Sequence, residues 1–139
     1  MVLVKASEDS EAGVLPSKEL LGEMGRYNEE LVKAGVLLAG EGLHASSKGA
    51  RVRFSGEKCT VTDGPFTETK ELIAGFWLIQ VPAMDDAIEW ARRIPFSEGE
   101  VEVRQVFEAS DFPAELVPPE DAAREQALRD EAQGRGIQP

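Results

Sequence analysis

The sequence is short of the groups that most often carry protein chemistry. It holds one cysteine, Cys59, and one histidine, His44. A single cysteine excludes an internal disulfide and points to a reducing, cytoplasmic home. One histidine and one cysteine cannot make a zinc-type ligand set, so no metal is expected. No apolar run approaches the ~20 residues that a membrane helix needs. The opening Val2-Leu3-Val4 lacks the basic start and long apolar stretch of a signal peptide. Positive charge is scarce as well: 15 Lys and Arg stand against 26 Asp and Glu, a net charge of −11. That balance repels nucleic acid and anionic membrane alike, so neither is an expected partner. Arg51 and Arg53 come nearest to a basic patch, and two arginines are too few for a phosphate footprint. Gly40, Gly42 and Gly49 match neither nucleotide-binding spacing, which removes a phosphate loop.

What remains is the material of one ordinary globular domain: 139 residues, 42% apolar and 29% charged. Val2 to Lys5 reads as a strand, followed by a polar loop from Ala6 to Leu15. Ser17 is placed to cap a helix whose Leu20, Met24, Tyr27 and Leu31 recur on one face. Gly35 ends that helix, and Val36 to Ala39 is a short apolar strand. Arg51 to Phe54 and Cys59 to Thr62 alternate around Ser55-Gly56-Glu57-Lys58, a hairpin with glycine at the first central turn position, as a type II′ turn requires. Asp63-Gly64-Pro65-Phe66 is a fixed bend. A strand from about Leu72 to Val81 is apolar on both faces. A second helix, from about Met84 to Ile94, is stopped by Pro95. A last alternating strand begins at Glu100 and runs on to Phe107.

Strand, helix, strand on either side of a hairpin predicts an α+β, ferredoxin-like sandwich with both helices on one sheet face. From Ser110 the character changes to prolines and then a charged segment, Glu120 to Gln133, with Leu128 as its one large apolar residue. The expected division is a domain over 1–109 and a polar tail with a weak helix over 110–139. The doubly apolar strand carries a further expectation. A sheet face not covered by the helices, and too apolar for water, is partner-seeking. A second copy packed sheet to sheet, a two-fold homodimer, satisfies it.

The ordered set Val61-Thr62-Asp63-Gly64-Pro65-Phe66-Thr67-Glu68-Thr69-Lys70-Glu71, then Ala74-Gly75-Phe76-Trp77-Leu78-Ile79, resembles the DGPF branch of the YCII-related family. Glu89-Trp90-Ala91, Ile94-Pro95 and Glu102-Val103-Arg104 extend the likeness, which runs from about Met1 to Ala109. The resemblance implies a ferredoxin-like fold in a dimeric α+β barrel, no known cofactor, and genes often found near sigma factors of the extracytoplasmic-function kind. The wider YCII pattern also carries a first-helix histidine paired with an aspartate. Here that helix reads Gly25-Arg26-Tyr27-Asn28, and the histidine is His44 in the glycine-rich loop.

Asp63, closing a strand at the Gly-Pro bend, is the leading catalytic candidate: a general base, or else a turn-capping aspartate. His44 is its candidate titrating partner, or a solvated loop residue. Phe66 and Tyr27 wall a binding pocket or belong to the core. Arg53, with Arg51, Glu102 and Arg104, faces away from the local core and lines a cavity if a partner covers that face. Cys59, in the second hairpin strand, reads as a packing residue rather than a nucleophile. Three functions fit: a cofactor-free enzyme doing acid/base chemistry on a small organic molecule in a dimer-interface cleft, a ligand-binding module using the same cleft, or a protein-interaction module linked to transcription regulation. The first predicts Asp63 and His44 facing one cleft within hydrogen-bond reach, about 2.6–3.2 Å.

Overall fold

A computed structural model describes residues 1–134 of the chain. They divide into two compact units, Met1–Gln105 and a second that begins at Val106.

In the first unit, β1 (Val2–Lys5) lies between β5 (Ile73–Ile79) and β6 (Val101–Val103), and β2 (Leu37–Gly42) pairs with the outer side of β5. The sheet order is β2-β5-β1-β6, antiparallel throughout. Helix α2 (Lys18–Lys33) connects β1 to β2, and α3 (Met84–Arg92) connects β5 to β6. This is a mixed α+β architecture compatible with the ferredoxin-like sandwich. The remaining strands, β3 (Ala50–Ser55) and β4 (Lys58–Asp63), form a separate two-stranded hairpin inserted between β2 and β5.

Local chemistry sets the helix ends. The Ser17 hydroxyl accepts the Leu20 N–H at 3.1 Å and starts α2; Gly35, at φ 71°, donates to the Val32 carbonyl and ends it. Helix α3 has no side-chain cap, and Asp85 and Asp86 in its first turn complement the positive helix end instead. Along α2 the apolar stripe seats Tyr27 and Leu31 in the core, with Met24 half-buried beside them. Their counterparts on the sheet are Val2 and Trp77, which lie opposite each other in register. Trp77 meets the Tyr27 ring edge-on at 5.5 Å and donates its indole N–H to Asn28 Oδ1 at 2.8 Å. Tyr27 donates its hydroxyl to the Trp90 carbonyl at 2.8 Å, so its one polar atom is satisfied inside. On the opposite sheet face Phe76 and Leu78 are half-buried.

Burial pushes the Tyr27 phenol up to about 12, with the nearby Arg93 charge lowering it and Glu30 raising it. The folded state therefore holds this proton more tightly than the unfolded chain does. The stabilisation is fully present below the ordinary phenol value near 10.0 and is lost as pH rises towards about 12. Urea midpoints measured across that range should fall, and Tyr27→Phe should remove much of the slope.

Several boundaries differ from the sequence reading; β2, expected to stop at Ala39, runs on through Gly40 to Gly42. The segment Ala6–Leu15 is not all loop: α1 (Glu8–Glu11) forms because Ser7 and Ser10 cap each other's backbone N–H groups. A serine in place of the usual Glu or Gln hid that capping box. The last strand stops at Val103, short of Phe107, because its partner β1 begins at Val2 and the final bond is Arg104 N–H to the Met1 carbonyl. Strand β5 ends at Ile79, beyond which Gln80 N–H bonds the Val36 carbonyl and Pro82 offers no donor.

In the second unit a short turn, Ala109–Asp111, precedes α4 (Pro119–Gly134). Phe107 and Phe112 stack at 5.1 Å. Helix α4 buries none of its residues, Leu128 included, and is laced by Arg129–Glu125, Arg124–Asp121 and Gln126–Asp130 contacts. Such i,i+3 and i,i+4 pairs supply only a few tenths of a kcal/mol each, roughly 0.2–0.5. Among the described residues no helix is long and apolar enough to cross a membrane.

Candidate functional site

The base of the hairpin is where three loops converge. Strand β4 ends at Asp63, opposite Ala50, and the chain then bends through Gly64, Pro65 and Phe66, with a cis Gly64–Pro65 peptide. On the other side, β2 runs out through Leu43, whose N–H reaches the Ala74 carbonyl at 2.8 Å. His44 follows, and then a single 3₁₀ turn, Ser46–Lys48, leads into β3.

The bend is docked on that turn by its backbone. Gly64 N–H donates to the Gly49 carbonyl at 2.9 Å, and Phe66 N–H donates to Ser46 Oγ at 3.0 Å. Ser46 in turn gives both of its donors to one carboxylate, its hydroxyl to Glu11 Oε1 and its N–H to Glu11 Oε2 at 2.8 Å. Glu11, the last residue of α1, thus clasps a turn 35 positions along the chain. Gly64 lies so close that a Cβ there would stand 1.7 Å from the Ser46 carbonyl oxygen. The Arg51 guanidinium covers the Phe66 ring at 3.8 Å, a cation–π contact at a partly exposed site, worth roughly 0.5–1 kcal/mol.

The Ser46 hydroxyl, followed by its backbone N–H, holds the Glu11 carboxyl below the usual carboxylate value. A depressed folded-state value means that the clasp is at full strength above about 4.5 and fails as pH drops through the lower value. Glu11→Gln should therefore be less stable than wild type at pH 7, with the gap closing as pH falls through the depressed Glu11 value. Parallel urea titrations across that range measure it.

The sequence candidates fall into three groups. Asp63 is exposed, and its carboxylate makes no hydrogen bond or ion pair with any described residue, its own turn included. His44 is likewise exposed, and the two do not bond to each other. They flank one docked unit, since the loop after His44 and the bend after Asp63 are joined by the Ser46 and Gly49 bonds. Phe66 belongs to that unit, half-buried under Arg51. Arg53 is exposed on the hairpin, opposite Thr60 and on the same face as Arg51. Tyr27 is apart from all of them, in the core with its hydroxyl committed to Trp90. Glu11 and Ser46 were missed by sequence reasoning, because nothing local announces a contact between residues so far apart. Among the described residues no group of three or more His, Cys, Asp or Glu side chains is placed to hold a metal.

An antiparallel four-stranded sheet under two helices, with a hairpin and a clasped Asp-Gly-Pro-Phe bend inserted at its middle, is the class of domain these observations define. The chain belongs to the YCII-related domain family, whose profile matches residues 1–110. It is also 33% identical over 90 residues to "Uncharacterized protein R00369" of Rhizobium meliloti (strain 1021), covering 63% of this chain and 73% of that protein.

Proposed function

We propose that this chain is a cytoplasmic, homodimeric member of the DGPF branch, and that Asp63 does acid/base chemistry on a small organic molecule without a cofactor. In this reading two copies pack sheet to sheet as a dimeric α+β barrel, and His44, Arg53 and Phe66 line the cleft around Asp63. One observation carries it. The bend that holds Asp63 is pinned by Gly49, Ser46, Glu11 and Arg51, while the Asp63 carboxylate itself is left free. A turn-capping aspartate would spend its oxygens on nearby N–H groups. A fixed backbone under an uncommitted carboxylate leaves both Asp63 oxygens available to a ligand. General acid–base catalysis of this kind contributes about 10²–10⁴-fold.

The test is a panel of small carbonyl compounds and organic acids, screened by thermal shift for binding and then by NMR for turnover, with wild type beside Asp63→Asn. Turnover should drop at least about 100-fold in Asp63→Asn while binding is retained. Equal turnover in the two proteins contradicts the assignment. Binding without turnover in either favours a non-catalytic ligand module, a reading supported by the absence of an Asp63–His44 bond.

A further inference from the structure

We infer that Arg51, held on the Phe66 ring, is the receptor for one carboxylate of a small organic acid, with Arg53 beside it for a second. The inference rests on the reading above, in which Arg53 and Phe66 belong to the cleft around Asp63, and it names the class of molecule that the cleft takes.

The chain itself shows what such an arginine holds. Arg93 has its guanidinium over the Trp90 ring at 4.2 Å, and its N–H groups reach the Glu30 carboxylate. Arg51 has the first half of that arrangement, its guanidinium lying 3.8 Å from the centre of the Phe66 ring. The second half is not supplied from within: among the described residues Arg51 makes no hydrogen bond or ion pair. Other arginines here find carboxylates readily, since Arg92, Arg104, Arg124 and Arg129 each pair with one. A ring contact fixes a guanidinium and uses no hydrogen-bond acceptor, so the donor fork of Arg51 is positioned and uncommitted. Its complement is a carboxylate, which accepts two parallel N–H bonds.

The surroundings set the size and charge of the ligand. Arg53 lies on the same hairpin face, two residues along and so roughly 7 Å away, exposed and likewise without an ion pair. Thr62 and Thr60 stand opposite the two arginines, so no acid is paired with either across the hairpin. Lys48 to Asp63 holds four basic residues and two acids, a net +2 in a chain of −11, which draws an anion here rather than elsewhere on the surface. Two forks are too few for a nucleic-acid backbone and enough for a short dicarboxylate.

The experiment is an NMR titration of the full chain with succinate, its neutral diamide and inorganic phosphate, in wild type, Arg51→Lys, Phe66→Leu and Arg26→Gln. Arg51 is exposed, and lysine keeps its charge while losing the fork. Arg26 is the control, exposed and without an ion pair but held on no ring. Succinate should shift the Arg51 Nε–H signal saturably and bind at least about tenfold more tightly than the diamide or phosphate. Its affinity should fall by about tenfold in Arg51→Lys and by about two- to fivefold in Phe66→Leu, and should stay unchanged in Arg26→Gln. Succinate bound no better than its diamide, or equally well by Arg51→Lys, or not at all, overturns the receptor. Phosphate bound as tightly as succinate overturns the organic-acid class. The Asp63 reading fails on a different result. A neutral compound turned over by wild type and not by Asp63→Asn leaves it standing with the receptor overturned. An acid bound through Arg51 but turned over equally by Asp63→Asn does the reverse.

Discussion

Replacing Gly64 by alanine is expected to release the Asp63–Phe66 bend from the Ser46 turn. The new Cβ would stand 1.7 Å from the Ser46 carbonyl oxygen and 2.6 Å from its carbon, and both are backbone atoms that no rotamer change can move. Overpacking of this kind costs about 1–3 kcal/mol, and a backbone clash belongs at the upper end. The bend lies at the base of an exposed hairpin, so the chain can relieve the clash by undocking it. The cost is then capped by what docking contributes, the Ser46 and Gly49 bonds and the Arg51–Phe66 contact. Hydrogen exchange at the Gly64 and Phe66 amides should accelerate by roughly 30-fold or more, the equivalent of about 2 kcal/mol, while amides of β1 and β5 keep their protection. Gly25→Ala provides the contrast. Nothing lies within 4 Å of a Cβ there, in the middle of α2, and the substitution should stabilise by about 1 kcal/mol. Gly64→Ala with unchanged exchange at Phe66 would mean that the clasp is not formed in solution.

Leu31→Ala should cost more, about 3–4 kcal/mol. Leu31 has no exposed surface and sits where α2 meets Val2, Tyr27, Trp77 and Ile94. Truncation forfeits its transfer free energy and leaves a cavity between rigid aromatic neighbours that cannot collapse into it. For a unit of this size each kcal/mol moves Tm by roughly 4–8 °C, so a drop on the order of 15–25 °C is expected. The next residue, Val32, is 63% exposed, and Val32→Ala should stay within about 0.5 kcal/mol. Urea unfolding of the pair decides it: comparable losses at 31 and 32 would contradict the packing of α2.

What the sequence made legible was whatever a local pattern dictates. The spacing of Met24, Tyr27 and Leu31 announced the buried stripe of α2. Ser17 and Gly35 marked its ends, and Gly56, at φ 61°, marked the hairpin turn. The bend was legible too, since Gly-Pro after a strand has few other uses. What was hidden is tertiary. Glu11 reads as one more acid in an acidic loop until the fold sets it under Ser46, and Ser46 as a loop serine until Phe66 N–H arrives 20 positions later. Tyr27 has the same periodicity whether it walls a pocket or fills a core, and only the Trp90 carbonyl above its hydroxyl decides. The freedom of the Asp63 carboxylate is equally a property of its neighbours, because an aspartate at a bend caps or does not cap according to where the N–H groups point.

The most direct measurement is chemical-shift mapping of the assembled protein with a binder drawn from the small-molecule panel. Shifts should cluster on Asp63, Gly64, Phe66 and His44, and those at the bend should change in Asp63→Asn although the binder is still held. A binder whose shifts lie elsewhere, or are identical in Asp63→Asn, would contradict a functional role for the bend and leave Asp63 an ordinary surface carboxylate.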